Sequence, residues 1–197
     1  MSRVLPMLFN TEMVRAILAG KKTETRRVVR PKYKGDESGF EVLTNMGTGE
    51  RWLEKVDEEE MSFDPPRYIA PPYKPGDILY VRETWCKGSL DYGKEQYYYR
   101  ADNLTFHCRW NPSIHMPKAA ARIWLRITDV KVERLQDIDD DGVVAEGLQI
   151  GDPYDELWNS TIKKKKYLPL YGWDANPWVW AIGFERCEKP ESEKRKE

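Results

Sequence analysis

Gly20-Lys21-Lys22-Thr23-Glu24-Thr25-Arg26-Arg27 joins the end of one element to the start of another and concentrates the polar chemistry of this chain. The residues before it spell an amphipathic helix. Asn10 suits an N-cap, Phe9 and Val14 form a hydrophobic staple, and Glu12 suits the positive helix start. Met13, Val14, Ile17 and Leu18 share one face, and Gly20 is placed to end the helix in a left-handed conformation. A strand should follow, with Thr23, Thr25, Arg27 and Val29 on one face and Glu24, Arg26 and Val28 on the other. A helix that stops at glycine and passes into a strand bearing a lysine, hydroxyls and arginines can assemble a small polar pocket. The same residues also fit a solvated edge strand decorated with charge.

Downstream, Arg30-Pro31 breaks the pattern and a polar excursion runs to about Pro66. Within it, Phe40 to Leu43 and Arg51 to Val56 flank the glycine-rich Asn45-Met46-Gly47-Thr48-Gly49 and read as a hairpin. Five prolines between Pro65 and Pro75 impose an extended connection into a strand at Ile78 to Glu83. Gln96 to Arg100 is a tyrosine-rich strand, with Leu104 to Arg109 as its expected partner, and Trp110 to Pro117 is a loop. Arg122 to Ile127 alternates cleanly, and Lys131 to Leu135 continues the sheet. The acidic run Asp137 to Asp141 starts a short helix holding Val143, Val144 and Glu146 and ending at Gly147. A further helix starts with Asp152 as N-cap and Pro153 in first position; Tyr154, Leu157, Trp158 and Ile162 make its apolar stripe. Lys163 to Lys166 read mainly as the solvated end of that helix, with phosphate tracking as the alternative. Trp178 to Phe184 is the closing strand, and Glu188 to Glu197 a charged tail with nothing to bury, expected to be disordered.

The whole is 197 residues, one ordinary domain with embellishments. A hydrophobic fraction of 40% with eight Trp and eleven Tyr can build a core, so wholesale disorder is excluded. A net charge of −1 excludes a globally basic nucleic-acid binder but not a local patch, because Lys21, Lys22, Arg26, Arg27 and Arg30 lie together. There is no apolar run of membrane-spanning length and no signal-peptide pattern at Met1 to Pro6, so a cytoplasmic protein without a membrane partner is expected. Cys86, Cys108 and Cys187 are odd in number and lack a CxxC pair, which argues against a disulfide framework. His107, Cys108, His115 and Cys86 fit no zinc spacing, so no metal and no cofactor is expected.

The pattern Gly20-x-Lys22-Thr23-x-Thr25-x-Arg27 resembles the signature of the ASCH domain, a small PUA-like β-barrel family. Leu5-Pro6-Met7-Leu8-Phe9, Pro75 to Trp85 and Asn176-Pro177-Trp178-Val179-Trp180 resemble further segments of the versions found in phages and prophages, so the match spreads over most of residues 1 to 186. The resemblance implies an α+β, mainly β fold: a PUA-like barrel with flanking helices over residues 1–187, with insertions near 34–66 and 150–173. The strand-rich pattern read above suits such a barrel independently.

One branch of the family hydrolyses N4-acetylcytidine with a lysine, a threonine and a glutamate. Carried onto this sequence, those roles fall on Lys22, Thr25 and, in Ala145-Glu146-Gly147, Glu146. A threonine hydroxyl needs an adjacent base, and a lysine can supply it if burial and neighbouring cations depress its pKa. Lys22 fits equally well as a cation for a phosphate or carboxylate, and Thr25 as a strand residue. The characterised enzymes of this type are much shorter, so the extra segments at 40–56 and 150–173 are placed to widen the substrate or close the cleft. The leading expectation is binding without catalysis, because PUA-like barrels commonly hold RNA or a modified nucleobase in a groove beside a helix. Lys21, Arg26, Arg27, Arg82, Glu83, Trp85, Trp110 and Arg122 are the residues expected near that cleft. Trp124, Trp158, Trp178 and Trp180 are expected in the core. A phage morphogenesis or interaction role is the third class, and no residue supports it directly.

Overall fold

The computed structural model describes residues 2–30, 40–44, 46–47, 51–55, 68–89, 95–102 and 108–194. Along the chain come β1 (Val4–Leu8), α1 (Thr11–Leu18), β2 (Glu24–Val28), β3 (Phe40–Thr44), β4 (Arg51–Lys55), β5 (Tyr68–Ile69), β6 (Ile78–Arg82), β7 (Trp85–Gly88) and β8 (Gln96–Tyr99). Then follow β9 (Trp124–Arg134), α2 (Asp140–Ala145), α3 (Tyr154–Thr161), α4 (Leu168–Tyr171), β10 (Trp178–Cys187) and α5 (Glu191–Lys194). The class is α+β with strands dominant.

Strands β9 and β10 are the spine. They pair antiparallel from Trp178↔Arg134 to Cys187↔Trp124, and their alternating apolar residues are the pattern that commits them to a sheet. On one side β9 pairs with β6, which pairs in parallel with β1; on the other, β10 pairs with β2. The order β1-β6-β9-β10-β2 is therefore a mixed sheet with β1 and β2 at its edges. Among the described residues it does not close into the expected barrel. Instead of a backbone ladder, the gap between the two edges is crossed by a side chain, Arg27 Nη2 donating to Leu8 O at 2.8 Å.

Helix α1 starts and stops as its sequence dictates. Asn10 accepts from Met13 N–H at 2.8 Å, and Phe9 and Val14, at 2% and 0% exposure, join the same core. Gly20 has φ +71°, and the amides of Gly20 and Lys21 donate to Ile17 O and Ala16 O at 3.1 and 2.9 Å. That is a Schellman closure, and it turns the chain straight into β2. Val14 and Ile17 of α1 pack with Leu79, Val81, Leu125, Ile127, Ile182 and Phe184 of the sheet. A second cluster joins Leu135 and Val179 to Tyr154 and Trp158 of α3, with Leu157 and Ile162 partly buried. Trp124, Trp158 and Trp180 are core residues as expected, and Trp178 is half-buried.

Several local expectations change. Strand β8 pairs with β7; its expected partner, the segment from Leu104 to Arg109, lies mostly outside the described residues. Cys86 Sγ and Cys108 Sγ form a disulfide, which an odd cysteine count and the lack of a CxxC pair argued against; β7 and the segment after residue 107 bring them together. Asp152 caps the turn before it, accepting from Gln149 N–H at 2.8 Å, and α3 begins after Pro153. Glu191–Lys194 form a helical turn in the segment read as a disordered tail, and Lys118 Nζ meets Glu193 Oε2 at 2.6 Å. The glycine-rich hairpin tip is partly outside the described residues, but β3 and β4 pair antiparallel as read. No helix of the described residues is long and apolar enough to cross a membrane.

Candidate functional site

The segment after Gly20 and the end of α2 meet at one point. Asp139 caps α2 by accepting from Gly142 N–H at 2.8 Å, so the acidic run fixes where the helix starts and therefore where Glu146 ends it. Gly147 follows with φ +94°, and a β-carbon there would meet Ala16 Cβ at 3.0 Å and Lys22 Cβ at 3.1 Å. Thr23 N–H donates to Ala145 O at 2.8 Å and ties the start of β2 to the helix end. Glycine is thus what lets Lys22 lie against α2.

Lys22 and Glu146, 2% and 7% exposed, form a buried ion pair between Nζ and Oε2, and Lys22 Nζ also donates to Glu146 O at 3.0 Å. The other carboxylate oxygen, Oε1, accepts from Arg26 N–H at 2.7 Å and from the Tyr154 hydroxyl at 3.3 Å. Burial holds the Lys22 amine below its ordinary pKa; the Glu146 charge opposes this, and Arg27 and Arg26 add to the lowering. Thr25 is 1% exposed, on β2 opposite Ile182. Burial also raises the Tyr154 hydroxyl, reinforced by the Glu146 charge, so this group stays a neutral donor.

Thr25, Arg26, Arg27 and Glu146 line a cavity of about 850 Å³ that occupies the gap between the β1 and β2 edges. That volume falls within the range of about 300–1,000 Å³ usual for small-molecule sites. Pro6, Met7 and Leu8 of β1 form one side, with Tyr73 beside them. Tyr154, Leu157 and Trp158 of α3 form the facing wall. Toward solvent the lining becomes Arg30, Lys163, Lys164, Tyr167 and Tyr171. Lys22 itself lies beneath the lining, reached through Glu146. Arg27 keeps Nε–H buried with no acceptor, while its guanidinium lies 5.1 Å from the Phe9 ring centroid.

The other expected contact residues lie elsewhere or, like Arg26, are held by acids at the lining. Lys21 is exposed and does not line the cavity. Arg26 is committed to acids: Nε donates to Glu133 Oε1 at 2.7 Å, and Nη1 lies 2.8 Å from Glu24 Oε1 without hydrogen-bond alignment. It is a structural cation, not a free phosphate ligand. Arg82, Glu83, Trp85, Trp110 and Arg122 do not line the cavity. Arg82 Nη2 donates to Ile114 O. Arg122 holds Glu83 with both fork nitrogens, Nε to Oε1 at 2.9 Å and Nη2 to Oε2 at 3.0 Å, and its Nη1 donates to Asp102 Oδ2 at 2.8 Å. The Arg122 guanidinium stacks 3.9 Å from the Tyr99 ring centroid. Trp85 packs edge-on against Tyr97 and pairs by its backbone with Asn111. The register of β6 with β1 and β9 carries this group away from the cavity. Trp110 is half-buried.

Sequence reading gave the segment at 150–173 as one that could widen the substrate or close the cleft, but named none of the residues of α3 and the segment after it as lining. Its aromatic residues at helical spacing read as core, and two of them are buried core residues that also face the cavity. The available signal was the unusual density of Tyr, Trp and Lys within an apparent insertion. Among the described residues no group of three or more His, Cys, Asp or Glu is placed to hold a metal ion.

No family model matches the chain, and no curated protein matches it. Among solved structures, the crystal structure of a protein from Enterococcus faecalis that carries the family model DUF984 is similar at a TM-score of 0.44. Its sequence identity is 13%, over 99% of this chain and 82% of that one.

Proposed function

We propose that this chain is an ASCH-type, PUA-like protein of the cytoplasm that binds a modified nucleoside, free or within RNA, in the cavity between the β1 and β2 edges. The observation that carries the reading is a cavity of about 850 Å³ walled by Tyr73, Tyr154 and Trp158 and lined by the cation Arg27. An arginine in such a lining can donate to a ligand acceptor. Nucleobases offer such acceptors on their edges and flat faces to aromatic walls. Lys21, Arg26, Arg82, Glu83, Trp85, Trp110 and Arg122 are not part of the proposed contact set.

A second reading, amidohydrolysis of an N4-acylated cytidine, is favoured by one feature. Lys22 and Glu146 are paired across 124 residues of sequence beside Thr25, and burial keeps the lysine amine below its usual range. In this reading Lys22 passes a proton to Glu146 and, as a neutral amine, takes the proton of the Thr25 hydroxyl. Oγ1 then adds to the acyl carbonyl, and the C–N bond breaks as the departing amine is protonated by Glu146, which lines the cavity. Water hydrolyses the acyl-threonine.

Calorimetric titration with N4-acetylcytidine, together with chromatography of released cytidine and acetate, tests both readings. Binding is expected in either case, weakened about tenfold by Arg27→Met. Release, if present, disappears in Thr25→Val while binding remains. Absence of binding at millimolar nucleoside would overturn both and leave an interaction role.

A further inference from the structure

Several cations of this molecule are matched by acids. Arg3 is paired with Asp77, Arg15 with Glu12, Arg26 with Glu24 and Glu133, Lys118 with Glu193 and Arg122 with Glu83. The cavity's outer end is different. Arg30, Lys163 and Lys164 all line it, all are exposed, and none makes an ion pair with a described residue. Thr25 and Glu146 at the other end are buried, so the lining runs from a closed polar floor to an unmatched cationic mouth. Helix α3 ends just before Lys163, and its negative end favours cations there. That accounts for a lysine near the terminus. It does not account for Arg30, which arrives from beyond β2, its guanidinium 6.0 Å from the Tyr171 ring centroid. Nor does it account for the division within the lysine run: Lys165 and Lys166 do not line the cavity.

We propose that this mouth is a phosphate subsite formed by Arg30, Lys163 and Lys164, so that the ligand is a nucleotide, either free or as a unit of an RNA strand. The inference rests on the nucleoside reading above and extends it from base to backbone. Three uncompensated cations at one opening repel each other, and a phosphate dianion or diester offsets that repulsion. Arginine supplies a fork for two phosphate oxygens and the lysines supply point charges.

The test is calorimetric titration of the whole chain at low salt with N4-acetylcytidine, its 5′-monophosphate, ribose 5-phosphate, and a trinucleotide with the acetylated base in the middle. The monophosphate is expected to bind about tenfold tighter than the nucleoside, equivalent to about 1.4 kcal/mol, with the advantage shrinking as salt rises. In the variant combining Arg30→Ala, Lys163→Ala and Lys164→Ala, nucleoside and monophosphate should bind alike. A trinucleotide tighter than the monophosphate identifies RNA as the source of the phosphate; a weaker one identifies a free nucleotide. Nucleoside binding with no gain from phosphate, or a gain that survives the triple variant, overturns the subsite and leaves the nucleoside reading intact. Ribose 5-phosphate binding that the triple variant abolishes, without nucleoside binding, keeps the subsite and removes the base reading. Failure of all four ligands overturns both.

Discussion

Glu146 and Glu83 are buried to a similar degree, at 7% and 1% exposure, and each is held by a cation from a distant part of the chain. Their surroundings differ. Arg122 takes both oxygens of Glu83 in a fork, stacks on Tyr99 and donates onward to Asp102, so the group closes on itself. Glu146 is equally well bonded, yet it lines a cavity beside Thr25 and an Arg27 N–H that has no acceptor. A buried carboxylate and its cation therefore do not make a site by themselves. What distinguishes the first cluster is its adjacency to space, since buried donors without an acceptor, Arg27 Nε near one and Arg82 Nε and Trp85 Nε1 near the other, accompany both.

The largest expected effect separates the clusters by stability and binding together. Lys22→Ala leaves Glu146 buried without its charge partner and should cost about 3–5 kcal/mol. Arg122→Ala should cost less, about 2–3 kcal/mol, because the Arg122 side chain is 27% exposed and water can enter in its place. Replacing both partners, Lys22→Met with Glu146→Leu or Arg122→Met with Glu83→Leu, should recover most of the loss in urea unfolding. Only the first pair should also abolish nucleoside binding. Loss of binding in the second pair would break the comparison.

A backbone change sharpens it. Gly147→Ala combines a φ of +94° with contacts of 3.0 and 3.1 Å to Ala16 and Lys22, and should cost about 1–2 kcal/mol while displacing the Lys22–Glu146 pair. Gly88→Ala, near the second cluster, meets Tyr98 at an ordinary 3.9 Å and should leave ligand affinity unchanged. Equal effects of the two on affinity in calorimetry would mean that Gly147 does not seat the pair.

The smallest effect is in pH dependence. Burial raises Glu83 above 4.5 despite its Arg122 partner, so the native state binds more protons than the unfolded chain just above that pH. Acidification there should raise stability, and Glu83→Gln should remove the rise. Asp77 is opposite: burial pushes it up, but the Arg3 side chain and the amides of Lys74 and Arg3 outweigh this and hold it below 3.8. Its contribution is complete above 3.8 and is lost as pH falls through the depressed value. Melting temperatures of Asp77→Asn below about pH 4 should lack that decline; a decline unchanged from the parent would assign it to other carboxylates.

The polar floor of the site was legible because local rules write it. Gly20 fixes the turn, alternation fixes β2, and the Asp137 to Asp141 run fixes where α2 begins and so where Glu146 falls. The α3 wall was not legible, since Tyr154, Leu157 and Trp158 obey the periodicity of a core helix while two of them also serve the cavity. The misplacement of Arg82, Glu83, Trp85 and Arg122 has another cause. Which end of β6 approaches which edge depends on a parallel register with β1, and no local pattern records that register. The openness of the sheet was hidden for the same reason.

Strand β2 has β10 as its ladder partner among the described residues, and Phe184 N–H reaches back to Thr23 O at 2.8 Å. The Gly20 to Arg27 motif is therefore seated by a strand far downstream of it in sequence. During synthesis the lysine, threonine and arginines emerge well before β10, so β2 has no ladder partner among the described strands until Trp178–Cys187 has followed. Long loops close slowly, and contacts of such span form late. A chain cut before Trp178 would carry the entire motif without the strand that seats it, and a ribosome stalled there would hold a nascent protein whose candidate site is complete in sequence but absent in space.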